Sequence, residues 1–142
     1  MENKNLELVL KCMLTLGLMI LNAWIWVLLA PNVNSNGNDI LNVYEKSILV
    51  FVIAPLVETY IAMTLILDES IRYLKFNKHI AVFVSATVFG LLHHTHWAYM
   101  CKTFIDGFFL GYLYVSFKPD IKKAFFLTAL VHAIYNIIAH FS

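Results

Sequence analysis

Glu58, His93, His132 and Asn136 are the residues whose types and spacing could do chemistry, because each interrupts an otherwise apolar run. Measured up from the inner boundary of its run at 1.5 Å per residue, Glu58 lies at ~14 Å, His93 at ~20 Å, His132 at ~12 Å and Asn136 at ~18 Å. They share one central layer. An ionised group at that depth costs roughly 2.5–3.5 kcal/mol on insertion scales, so such residues face a bundle interior or a wet cavity. His132 and Asn136 are i, i+4 neighbours and project from one helix face, and Phe89 and His93 have the same spacing. Three chemistries suit this set. A carboxylate held away from bulk water has its charged form disfavoured and can serve as a general base. Chains of intramembrane Glu and His also relay protons. A lone Glu can be interhelical glue, with hydrogen bonds of ~0.6–2 kcal/mol to Ser, Thr or His on a neighbouring helix. Four polar residues at one depth on three helices favour a constructed site over glue.

The elements that must hold these residues are transmembrane helices. Hydrophobic residues make up 61% of the 142-residue sequence and charged residues 13%, against the ~25% charged of a soluble domain. A formal net charge of +1 argues against nucleic acid as a partner, since a duplex-binding surface needs Lys and Arg clustered on one face. The expected fold is an all-α polytopic transmembrane helix bundle of one small domain, with about five spans at 12–30, 47–67, 80–100, 103–117 and 124–142. The fourth is the weakest, since its 15 residues would rise only ~22 Å against a core of ~30 Å. It carries Asp106 near its start and the pair Gly107 and Gly111, a small-xxx-small face that lets backbones approach closely. A short helix surrounded by protein fits both features. Residues 31–39, PNVNSNGND, form the one long loop, and KPD at 118–120 forms a tight connection. Lys4 and Lys11 ahead of an apolar run raise the question of a signal peptide, but 12–30 is longer than a typical h-region and Pro31 follows Ala30 with no A-x-A pattern. An uncleaved first helix is expected.

Lys and Arg near the ends of the spans set the orientation. With five spans and the N-terminus inside, the inner segments hold Lys4, Lys11, Arg72, Lys75, Lys78, Lys118, Lys122 and Lys123, and the outer ones only Lys46 and Lys102. That balance places the N-terminus inside and the C-terminus outside, and dropping the fourth span would put Lys118, Lys122 and Lys123 on the wrong side. His94, His96 and His140 lie near the outer boundary, where interfacial or supporting roles are expected of them, and Trp24, Trp26 and Trp97 are interface anchors. Cys12 and Cys101 form no C-x-x-C pair and no metal-knuckle spacing, and are read as packing residues.

The order P-x-x-E in PLVET, F-G-x-x-H in FGLLH, G-x-x-x-G in GFFLG and H-x-x-x-N in HAIYN resembles the CPBP family. These are the CAAX protease and bacteriocin-processing intramembrane proteases, also called the Abi family. The resemblance covers residues 55 to about 138. It divides the chain into a first transmembrane helix with its outer loop, 1–46, and a set of catalytic core helices, 47–142. The family's first motif is typically E-E-x-x-x-R, and here it reads Glu58-Thr59-Tyr60-Ile61-Ala62-Met63. The first glutamate is kept, while Thr59 and Met63 stand where the family has its second glutamate and its arginine. Losing both at once removes an ion pair without stranding either charge, which costs far less than losing one partner.

The resemblance implies an intramembrane endopeptidase in which Glu58 and His93 bind and activate a water while His132 and Asn136 stabilise the oxyanion. Physical chemistry supports the assignment, because fixed N–H donors count most in a low-dielectric site. Glu58, His93 and His132 would also make a three-ligand zinc set with an open position. All three as ligands would leave no separate general base, Thr59 having replaced the obvious second carboxylate, so the expected cofactor is none, with zinc as the alternative. The implied partners are the lipid bilayer and a peptide or membrane-protein substrate, such as a prenylated C-terminus or a bacteriocin leader. The bacterial cytoplasmic membrane is the expected location. Two other classes stay open: a non-proteolytic bacteriocin self-immunity or partner-binding protein of the same family, and a proton pathway component.

Overall fold

The computed structural model describes residues 2–30 and 47–141. The long loop at 31–39 and Lys46 lie outside the described residues. Five helices follow one another: α1 (Glu2–Leu29), α2 (Leu49–Arg72), α3 (Lys78–Leu92), α4 (Trp97–Ser116) and α5 (Ile121–Phe141). Three of them are long and apolar enough to cross a membrane: α1 over Asn3–Leu29, α2 and α5. The chain is therefore all-α, as the composition predicts.

The third and fourth helices divide differently from the expected 80–100 and 103–117. α3 stops at Leu92 and α4 begins at Trp97, so the shorter of the two is the third and not the fourth. Local chemistry explains the shift. His93-His94-Thr95-His96 is a polar run in which the His93 N–H turns back to Gly90 O at 3.0 Å, closing α3. His96 is extended, and its Nδ1 accepts the Ala98 N–H at 3.2 Å, satisfying one of the free donors at the start of α4. Fifteen residues of α3 rise only ~22 Å. Its end, carrying His93, thus arrives at the level of Glu58, which is 14 residues from Arg72 on α2.

α3 and α4 pack closely. A Cβ at Gly107 would meet Phe89 Cβ at 2.8 Å, one at Gly111 would meet Val82 Cγ1 at 3.0 Å, and one at Gly90 would meet Phe104 Cβ at 3.0 Å. The small-residue face predicted for the fourth helix is therefore used, against Phe89 and Val82 of α3. Met63 and Leu67 of α2, Val82 of α3, Leu110 and Tyr114 of α4 and Ala124 of α5 are fully buried and form the core with Met19 of α1.

The two ends of the bundle differ. At the end carrying Arg72, Lys75, Lys78, Lys118, Lys122 and Lys123, the Tyr114 hydroxyl donates to Asp68 Oδ2 at 2.8 Å, and the Lys118 ammonium pairs with Asp68. These contacts tie α2 to α4 and to the connection before α5. At the other end Trp26 of α1 meets Trp97 of α4 edge-on at 6.3 Å, and Phe51 of α2 meets His140 of α5 at 5.2 Å. Among the described residues α1 packs on α4 and α5 and makes no comparable contact with α2.

Candidate active site

Pro55 shapes the helix that carries Glu58. Proline has no N–H, and its ring crowds the carbonyl four residues back. The turn before it, Leu49–Ile53, is widened to five-residue bonding, so the Ala54 N–H reaches Leu49 O rather than Val50 O. Val50 O would next look to the N–H of residue 55, which proline lacks. The freed carbonyl is taken by α5: Asn136 Nδ2 donates to Val50 O at 3.0 Å. Widened turns of this kind are rare and frequently lie at functional sites. A second such stretch, Tyr60–Asp68, follows directly after Glu58 and Thr59, and within it Ala62 O accepts the Ser85 hydroxyl of α3 at 2.7 Å.

Glu58 then stands between two imidazoles. Its Oε2 lies 3.6 Å from His93 Nε2 and 3.5 Å from His132 Nε2. The side chains are 22%, 15% and 4% exposed in the order Glu58, His93, His132, so the carboxylate can reach water while His132 beside it is nearly fully buried. The hydrogen bonds fix the sense of the rings. His93 Nδ1 lies 2.8 Å from Phe89 O; a carbonyl only accepts, so Nδ1 carries the proton and Nε2 of the neutral ring is bare. A bare nitrogen and a carboxylate oxygen, both acceptors, therefore face each other at 3.6 Å. Among the described residues His132 Nδ1 is buried without a hydrogen-bond partner. Since a buried N–H without an acceptor is the rarer defect, the proton belongs on Nε2, where Glu58 Oε2 is the nearby acceptor. Phe89 packs on both rings, at centroid distances of 5.0 Å to His93 and 5.4 Å to His132.

Glu58, His93 and Asn136 line one cavity of about 820 Å³, together with Ala54, Val50, Tyr99, Lys102, Tyr135 and His140 and with Ile20, Trp24 and Val27 of α1. The structure thus brings Glu58, His93 and His132 together and puts Asn136 on the wall of the same cavity, anchored to Val50. His94 and His96 are exposed at the break between α3 and α4. Sequence reasoning missed a neighbouring group. Lys102 Nζ pairs with Asp106 Oδ2 at 2.9 Å, and Asn22 Nδ2 of α1 donates to Asp106 Oδ1 at 2.8 Å and to Lys102 O at 3.0 Å. Lys102 also lies over the Tyr135 ring at 4.9 Å. The signal was present in Lys102 and Asp106 as an i, i+4 pair of opposite charge and in Asn22 as a polar residue inside an apolar run.

The fit of zinc to Glu58, His93 and His132 turns on the second nitrogen of each histidine. Histidine ligands almost always donate their second nitrogen to an acceptor, and His132 Nδ1 has none. Among the described residues no group of three His, Cys, Asp or Glu side chains is placed to hold a metal ion.

The described residues thus form a helical bundle with three helices long and apolar enough to cross a membrane and an internal Glu–His–His cluster. Residues 41–138, well over half of the chain, match the family model of the type II CAAX prenyl endopeptidase Rce1-like proteins. The chain belongs to that family, whose members are CAAX prenyl endopeptidases acting on peptides. No curated protein and no solved structure matches it.

Proposed function

We infer that the protein is an intramembrane endopeptidase in which Glu58 and His93 activate a water and His132 and Asn136 receive the oxyanion. The observation that carries this reading is Glu58 Oε2 set 3.6 Å and 3.5 Å from two histidine Nε2 atoms at the wall of a cavity. Those separations exceed a direct N–H···O bond. A water within hydrogen-bond reach of Glu58 Oε2 and His93 Nε2 would donate both its protons to acceptors, which exposes its lone pairs for attack on a peptide carbonyl. Glu58 takes the proton, and the leaving amine receives it when the C–N bond breaks. His132 Nε2–H and the Asn136 amide N–H not used by Val50 are the donors available to the oxyanion. This chemistry routes no step through a metal, and cleavage is expected to survive chelation. Stoichiometric zinc together with chelator-sensitive cleavage would sink that part of the reading.

The same reading sets all five helices in the bilayer, with the Lys-rich end inside as charge bias requires. A bacterial cytoplasmic membrane is the setting it suits. The test of function is comparative proteomics of cells carrying the wild type and Glu58→Gln, with one uncut peptide accumulating in the variant. A second reading, a non-proteolytic immunity or partner-binding protein, draws on Thr59 and Met63. Both are fully buried, so the position of the family's second carboxylate is occupied by packing. An unchanged peptide profile in Glu58→Gln cells with an intact phenotype would favour that reading.

A further inference from the structure

We propose that Thr128 is a positioning residue for His132: its hydroxyl donates to His132 Nδ1 and so holds the ring proton on Nε2, the atom that faces Glu58. The inference rests on the proposed peptidase function and adds a residue to its site.

Two observations carry it. The first is a pair of buried polar atoms left over at one place. Thr128 is 0% exposed and His132 3% exposed, and among the described residues neither Thr128 Oγ1 nor His132 Nδ1 has a hydrogen-bond partner. The two residues are i, i+4 neighbours on one face of α5. Helical side chains lean toward the N-terminus of their helix, so the His132 ring lies back over the turn that carries Thr128. Buried polar atoms without partners are rare, and these two are complementary. With its proton on Nε2 the imidazole has a bare acceptor at Nδ1, and a hydroxyl has a proton to donate. The link closes directly after a turn about χ1 of Thr128, or through one buried water held by both atoms. Donor and acceptor are the same in either form. Thr128 lies on the Lys-rich side of His132, away from the ends of α1 and α2 that residues 31–46 join.

The second observation is what threonines do elsewhere in the bundle. Thr87 Oγ1 donates to Phe83 O at 2.9 Å and Thr103 Oγ1 to Tyr99 O at 2.9 Å, each satisfied by its own helix four residues back. Thr128 makes no such bond to Ala124 O, which leaves its hydroxyl for a neighbour. The rest of the His132 ring is already engaged. Glu58 Oε2 lies 3.5 Å from Nε2, and Phe89 packs against the ring at a centroid distance of 5.4 Å. Nδ1 is where an orienting donor can act, because the proton on one imidazole nitrogen is set by the bond the other makes.

Thr128→Val removes the hydroxyl and keeps the volume. A hydroxyl that bonded nothing could be replaced without harm, so this variant separates the two cases. The full chain is purified in detergent and given the peptide that accumulates in Glu58→Gln cells. Thr128→Val is expected to lower kcat about 3- to 10-fold with KM unchanged. Thr128→Ser is expected to restore kcat, and Thr103→Val, whose hydroxyl serves its own helix, to leave it unchanged. A second readout needs no turnover. Nitrogen NMR of protein carrying isotope-labelled histidine identifies the His132 signals by their absence in His132→Asn. The expected wild-type ring is protonated on Nε2. Its Nδ1 signal moves to the position of a free, unprotonated nitrogen in Thr128→Val and returns in Thr128→Ser. Wild-type kcat in Thr128→Val, unchanged His132 signals in that variant, or a proton on Nδ1 overturns the proposal. Thr128→Ala repeats both measurements should Thr128→Val not fold. The expected NMR changes with no peptide accumulating in Glu58→Gln cells would instead count against the peptidase function and leave the link from Thr128 to His132 standing.

Discussion

Glu58 is useful because of what flanks it rather than because of its type. Two histidines present opposite characters to the same oxygen, a bare Nε2 on His93 and an Nε2–H on His132, and each is set by what the other ring nitrogen does. Removing the base in Glu58→Gln is expected to lower cleavage by about 10²–10⁴-fold, measured on the peptide that accumulates in cells carrying that variant. His132→Ala removes one oxyanion donor, for a loss of about 10²–10³-fold in turnover. Comparable turnover in His132→Ala would mean that His132 only packs against Phe89. The sequence identified these residues because a polar side chain in an apolar run stands out. It did not identify Lys102, whose charge at the edge of a run reads as a solvated end until Asn22 and Asp106 are seen to enclose it.

At the scale of the helix, Pro55 is what couples α2 to α5. By denying Val50 O its N–H, it leaves a carbonyl that Asn136 fills. Pro55→Ala would supply a competing N–H and release Asn136, so turnover should fall while the protein remains folded, as judged by an unchanged melting transition in detergent. A parallel loss of thermal stability would assign Pro55 to packing alone. Lys102, Asp106 and Asn22 similarly join α1 to α4. Breaking a buried pair from one side costs about 3–5 kcal/mol, whereas replacing both partners with apolar residues is often neutral. Asp106→Leu is therefore expected to destabilise strongly, and Lys102→Met with Asp106→Leu to recover most of the loss in a thermal unfolding series. The close approach of α3 and α4 is tested by Gly107→Val. Its added atoms would collide with Phe89, for a destabilisation of about 1–3 kcal/mol that Gly17→Val, which has open space, should not share. The boundary between these two helices was misplaced because the expected third span ran through the polar 93–96 stretch to Met100 and the break was set at Cys101 and Lys102. Only the capping chemistry of His93 and His96 ends one helix and starts the next.

Among the described residues the bundle is closed at its Lys-rich end. Closure comes from Asp68, Tyr114 and Lys118, three residues from two distant segments of the chain. The sequence by itself determined the class of fold, because 61% hydrophobic residues in runs of membrane length leave helices as the form that satisfies every backbone group in lipid. It also singled out Glu58, His93 and His132 as candidates for chemistry, because ionisable groups are expensive in such runs. What only the tertiary structure decided is geometry across helices: that α3 is short enough to deliver His93 to Glu58, that Pro55 lends a carbonyl to Asn136, and that His132 meets the same carboxylate oxygen. Helical periodicity orders residues along one helix. The register of one helix against another depends on side chains meeting from far apart in the chain, such as Gly107 on Phe89 and Asn22 on Asp106, and that pairing is written in no local pattern.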